Sequence, residues 1–132
     1  MIFVDTGAWF AAFVPNDVHH QLARTWLESN SLPLLTTDYV LDELLTLLRI
    51  RGEQDRAFIL GEQMLSESMV SLHLVSFDQI QRAFEIFRQF DDKEWSFTDC
   101  VSRVVMEDLK ITTAFAFDHH FRQFGTVTVV PT

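Results

Sequence analysis

The chain has 132 residues, with nineteen acids against ten bases, a net charge of −9, and 48% hydrophobic residues that include thirteen phenylalanines. This length suits one domain with one core, the apolar content excludes a disordered chain, and no apolar run approaches the roughly 18 residues of a membrane span. A protein that grips nucleic acid by its phosphates usually carries a basic surface, so either nucleic acid is not the ligand or the acidity is concentrated at a cation that meets phosphate.

No basic segment precedes a long apolar one at the N-terminus, so no secretory signal is expected. The lone cysteine, Cys100, excludes an internal disulfide and fits a reducing, cytoplasmic setting.

The first stretch, Ile2-Phe3-Val4, is an unbroken apolar run ending on Asp5, Thr6 and Gly7. Such a run predicts a strand buried on both faces in a parallel sheet, with Asp5 at its carboxyl edge. Ala8 to Phe13 predicts a short apolar helix broken at Val14, because Pro15 disfavours helix at the residue before it. An amphipathic helix follows over His20 to Ser29, with Leu22, Ala23, Trp26 and Leu27 as its expected buried face. Leu34 to Thr36 reads as a second strand.

Leu41, Leu44, Leu45 and Leu48 stripe a helix from about Asp38 to Arg51 that Gly52 ends. Another helix spans about Gln54 to Ser66. The alternation of Val70 to Leu74 predicts a half-exposed or edge strand. Ser76 and Gln79 match a capping box for a helix that carries Ile80, Ala83, Phe84 and Phe87 toward the core. Ser96 starts a helix through Val101, Val104 and Val105 to about Leu109. Thr112 to Phe117 predicts a buried strand running into Asp118, and Val127 to Val130 a last strand. Strands alternating with helices imply parallel crossovers, hence a three-layer α/β/α sandwich around a mostly parallel sheet. Residues 1–132 read as a single domain.

In this arrangement Asp5, Glu43, Asp99 and Asp118 all fall at one edge of the sheet. Each has a structural alternative. Asp5 or Thr6 could cap the helix that follows, Ser96 with Asp99 resembles a capping box, Asp118 could cap the turn at His119 to Phe121, and Glu43 could be solvated, although Leu47 gives it no partner one turn on. Jointly the acids point elsewhere: clustered carboxylates repel unless a cation is present, and all-oxygen ligation suits Mg²⁺ or Mn²⁺.

The residues Phe3-Val4-Asp5-Thr6, the segment Thr36 to Leu44, Ser96-Phe97-Thr98-Asp99-Cys100, and Phe117-Asp118-His119-His120-Phe121 with Phe124-Gly125 resemble, in order and spacing across the whole chain, the PIN-domain ribonucleases. The likeness is greatest to the toxin members of VapB/VapC-type toxin–antitoxin pairs. The resemblance implies Mg²⁺- or Mn²⁺-dependent hydrolysis of RNA by an activated water. It makes Asp5 and Asp99 the principal metal ligands, and Asp118 and Glu43 the residues that complete the acidic pocket. Thr6 and Thr98 become candidates for holding a water or the substrate phosphate, and His120 for lining the pocket and touching RNA. It further implies a small antitoxin partner and a homodimer. The Trp9-Phe10-Phe13 helix could supply part of the dimer surface, or simply pack in the core.

The histidine pairs divide. His19-His20, beside a helix start, is expected at the surface. His119-His120 could suggest zinc, but adjacent residues point in different directions on a turn and Cys100 offers no partner by spacing. Arg49, Arg51 and Arg56 form the only basic cluster, expected as an ordinary helix end favoured by the dipole. A phosphoacceptor receiver would need a lysine after a late strand, and Lys93 and Lys110 are not so placed; a haloacid-dehalogenase-type phosphohydrolase would need an aspartate where Gly7 stands. The remaining rival is a catalytically silent PIN-like binding module.

Overall fold

A computed structural model describes residues 1–132. Its sheet has five parallel strands in the order β3-β2-β1-β4-β5, with β1 Ile2–Val4, β2 Leu34–Thr37, β3 Ser71–His73, β4 Thr113–Phe115 and β5 Thr128–Val130. The apolar run at the start of the chain thus takes the middle of the sheet, where Phe3 and Val4 are wholly buried. The alternating Ser71–His73 segment takes an edge, where one face can meet water.

Helices α1 (Thr6–Phe13), α2 (His20–Ser29), α3 (Asp38–Ile50) and α4 (Gln54–Leu65) lie between the strands from β1 to β3, and α5 (Phe77–Gln89) and α6 (Phe97–Asp108) between β3 and β4. Right-handed crossovers put the first four on one face and the last two on the other, because the chain reverses direction across the sheet after β3. Side chains agree with this division. Val4 and Phe115 are paired in register and share a face, and Trp26 of α2 stacks on Phe115 at 4.2 Å. On the opposite face Phe3 meets Phe121 of a 3-10 helix, His119–Phe124, at 6.0 Å. The result is the expected three-layer sandwich.

The helix ends follow local chemistry. Val14 leaves α1 in an extended conformation, φ −111° and ψ 105°, as the following proline requires. Gly52 ends α3 at φ +74°, where a side chain would strain the left-handed backbone. Trp9 and Phe10 are core residues, so this part of α1 is committed to packing and not to an intersubunit surface.

Two expected faces differ from those found. On α2, Leu22 is half exposed and only Ala23 is buried. On α5, Phe84 and Phe87 are exposed at 46% and 45%, whereas Gln79 and Ala83 are buried. The reason lies in hydrogen bonding. The Gln79 side chain takes bonds from the Ser76 backbone N–H and pairs with His73 Nε2, and it donates to Asp108 on α6. A buried amide with all its partners made costs little, and it turns the helix so that the phenylalanines face outward.

Candidate active site

Strand order reverses between β1 and β4, and in open α/β sheets ligands bind in the crevice outside the carboxyl ends of the strands at such a switch point. Asp5 directly follows β1, and Asp118 follows β4 after two residues. Asp5 occupies the capping position of α1, but its side chain makes no capping hydrogen bond; the first turn is held instead by its carbonyl, which accepts from Ala8 and Trp9 N–H at 3.1 Å each. Helix capping therefore does not account for this carboxylate.

Asp99 does cap. Ser96 Oγ accepts the Asp99 N–H at 3.0 Å, and Asp99 Oδ2 accepts the Ser96 N–H at 3.0 Å. The same Oδ2 receives His120 Nδ1 at 2.7 Å, so both protein bonds fall on one oxygen and Oδ1 has none. Asp118 also caps, accepting the His120 N–H on Oδ1 at 2.9 Å, while its Oδ2 lies 3.1 Å from His120 Nδ1. With carboxylates on that side, the geometry assigns the imidazole proton to Nδ1. His120 thereby ties α6 to the turn after β4.

Glu43 comes from α3. Thr37 Oγ1 accepts the Val40 N–H at 3.1 Å and starts the helix, while Leu44 and Leu48 anchor it in the core. Glu43 sits beside this buried stripe, half-buried and without an ion pair. Behind the sheet edge, Thr36 Oγ1 donates to the Val4 carbonyl at 2.9 Å, fixing the strand that presents Asp5.

These elements bring Asp5, Glu43, Asp99 and Asp118 around one cleft of about 340 Å³, with Thr6 and His120 among them and Gly7, Leu47 and Ser96 completing its wall. Thr98 does not line it. Gly7, Leu47 and Ser96 are wall residues that the sequence signals only by position, Gly7 beside Asp5-Thr6, Leu47 one turn after Glu43 and Ser96 three residues before Asp99.

Burial, then Asp99, Glu43 and Asp118 as further negative charges, push the Asp5 carboxyl up to about 8. Burial likewise raises Asp99, against the opposing pull of its Ser96 and His120 hydrogen bonds. Thr6 Oγ1 is buried with no hydrogen-bond partner. A site that crowds carboxylates, leaves an Asp99 oxygen unused and orphans a hydroxyl fits a hard cation and its oxygen ligands. Asp5, Glu43, Asp99 and Asp118 are the carboxylates in this cleft that could hold one.

Cys100 is no nucleophile here: it is buried, and burial with the nearby Asp99 pushes its thiol up to about 11. Contrary to the expectation from adjacency, Asp118, His119 and His120 bring one ligand atom each within 4.8 Å of one another, because the two oxygens of Asp118 reach toward both rings. His120 Nδ1 is nevertheless a donor to carboxylates, which removes that atom from any cation. Of the basic cluster, Arg56 is paired with Glu53 at 2.5 Å and Arg51 lies over the Phe10 ring, both away from the cleft wall.

The family model described as PIN domain matches residues 2–127. The chain is 34% identical over 131 residues to the 23S rRNA-specific endonuclease VapC20 of Mycobacterium tuberculosis, covering 99% of each. It is 32% identical over 124 residues to a VapC ribonuclease of Archaeoglobus fulgidus, covering 89% of this chain and 77% of that protein. The crystal structure of M. tuberculosis VapC20, described as a sarcin-ricin loop cleaving toxin, superposes with a TM-score of 0.89 at 33% identity, over 96% of this chain and 97% of that one. Sequence likeness and fold likeness of this extent meet in one assignment: the chain belongs to the PIN-domain family, among its VapC-type members.

Proposed function

We propose that this chain, acting as one nuclease unit over residues 1–132, is an endoribonuclease that hydrolyses RNA phosphodiester bonds with Mg²⁺ or Mn²⁺. The observation that carries the proposal is the convergence of Asp5, Glu43, Asp99 and Asp118 on one cleft at the sheet's switch point, with the Asp5 side chain making no capping bond. A bound divalent cation supplies polarisation of a phosphoryl oxygen and an acidified water near neutral pH, so no dedicated base is required.

The protein's own groups then have separable roles. Asp5 and Asp99 would hold the cation, Asp118 and Glu43 would set the charge of the cleft, and the Thr6 hydroxyl would donate to a water or a phosphate oxygen. His120 positions Asp99 by fixing its Oδ2, which leaves Oδ1 as the oxygen that would ligate the cation.

The M. tuberculosis relative is named for a ribosomal RNA substrate and as a toxin, which makes 23S rRNA the first substrate to try and a small antitoxin the expected partner. A basic antitoxin segment with an arginine is the natural plug for this cleft, since a guanidinium pairs well with carboxylates and the chain carries −9. A cytoplasmic homodimer is the expected working form; no helix is long and apolar enough to cross a membrane.

The test is incubation of total RNA with the purified protein in Mn²⁺, Mg²⁺ or chelator, with the cut ends mapped. Discrete cuts that chelator removes are expected. RNA left intact under every metal condition would favour the alternative, a catalytically silent binding module.

A further inference from the structure

An aromatic column leaves the core beside the acidic cleft and ends in solvent. Trp26 stacks on Phe115 at 4.2 Å, Phe115 meets Phe117 edge-on at 6.0 Å, and the His19 ring lies on Phe117 at 4.6 Å with only 4° between planes. Phe117, the ring beneath His19, immediately precedes Asp118, a wall residue of the cleft. His19 itself is exposed.

The backbone that carries the outer ring is held in place. The His19 N–H donates to Asp17 Oδ2 at 2.9 Å, its carbonyl accepts the Ala23 N–H at 2.9 Å, and the neighbouring His20 Nδ1 bonds the Ala11 carbonyl at 2.8 Å. A solvent-facing ring backed by a second, nearly parallel ring presents a flat face to which another π system can stack.

The charge balance gives such a surface a purpose. Of the ten basic side chains, Arg24, Arg56, Arg82, Arg88, Lys93 and Arg103 are already in ion pairs with acids. Arg49, Arg51, Lys110 and Arg122 remain outside ion pairs, a small cationic surface for gripping phosphates, which normally dominate affinity. Base stacking on aromatic rings is the other general source of affinity for single-stranded nucleic acid, and it tolerates negative protein charge because it uses the base face.

Resting on the ribonuclease reading above, we propose that the His19–Phe117 stack is a nucleobase platform, on which an unpaired base flanking the cleaved phosphate lies against the outer face of His19. Stacking there positions the adjoining phosphate over the cleft formed by Asp5, Asp99 and Asp118. The inference names the substrate feature the site requires: an unpaired nucleotide next to the cut, as in a loop.

The test compares the parent with His19→Ala and His19→Phe. Binding is read by fluorescence anisotropy of a labelled sarcin–ricin loop RNA hairpin, in an Asp5→Asn background so that the RNA is not consumed, and cleavage is read separately in the Asp5 protein. His19→Ala should weaken binding about 5- to 100-fold, in line with stacking on a single aromatic ring, with little change in the salt dependence, while His19→Phe should keep most of it. In cleavage the loss should fall on KM, with kcat nearly preserved. An abasic nucleotide at one loop position should cost the parent a similar factor and cost His19→Ala nothing further.

Unchanged affinity in a folded His19→Ala protein overturns the platform, as does an abasic penalty that simply adds to it. So does a small partner protein whose affinity falls on His19→Ala while RNA affinity does not. A parent that cuts no RNA but shows the stacking pattern would defeat the ribonuclease reading and leave the platform standing; absence of RNA binding altogether defeats both.

Discussion

Asp5 is the group whose environment departs furthest from water, and its pH response can be worked out before measurement. Its carboxyl is pushed from 3.8 to about 8 by burial and by the neighbouring acids. The folded chain therefore keeps a proton that the unfolded chain releases, and stability must fall as pH rises from about 4 to about 8. Between about pH 5 and pH 7, inside that window, the slope is about 1.36 kcal/mol per pH unit, or ~2.7 kcal/mol in all. With a urea m-value of about 1–3 kcal/mol/M, the midpoint should move down by roughly 1–3 M. Asp99 shifts in the same direction, and the two are coupled, so the cleaner quantity is the difference between the parent and Asp5→Asn. Asp108, held low by Arg82 and Gln79, loses its contribution only below the ordinary carboxylate range and stays outside the window. The assay is urea unfolding of both proteins in chelator across this pH range. Asp5→Asn should flatten the curve by about the calculated amount and be the more stable protein near neutral pH. Adding Mn²⁺ should restore the parent most strongly at the higher pH, because ligation requires the deprotonated carboxylate. Parallel curves for the two proteins would refute the reasoning, since Asp5 would then ionise as it does in water.

Thr6→Val replaces a buried, unpartnered hydroxyl by a methyl of similar shape, which relieves a desolvation cost of about 1–3 kcal/mol. Thermal melts should show a metal-free protein as stable as the parent or more so, while cleavage falls if the hydroxyl serves water or phosphate; a destabilised variant would mean that the hydroxyl has a partner in solution. Thr37→Ala removes the cap of α3, the helix that carries Glu43, and should cost about 1–2 kcal/mol in urea unfolding.

Much of this was legible in the sequence because local chemistry and tertiary position coincide. The run Ile2 to Val4 could satisfy its burial only in the middle of a sheet, and an acid following such a strand has few places to go. The Ser96 and Ser76 capping boxes were readable because both partners lie within one turn. What escaped depended on long-range partners. Phe84 and Phe87 fit the helical period of a core face, but the amide of Gln79 finds His73 and Asp108, distant in sequence, and fixes the rotation of α5. The 2.7 Å bond from His120 to Asp99 spans 21 residues. The spacing of either residue within its own motif carries no sign of it. Asp99 also shows why a structural and a functional reading need not exclude each other. One oxygen completes a cap and the other is left for the cleft, so an amide there retains the acceptor for Ser96 while losing the charge.

That separation makes Asp99→Asn the most direct probe of the central claim, that RNA is cut by a cation held among these carboxylates. Circular dichroism should report an unchanged fold, and single-turnover cleavage of a mapped RNA at saturating Mn²⁺ should fall below detection. Cleavage at the parental rate by a folded Asp99→Asn protein would contradict the account and move the chemistry away from this cleft.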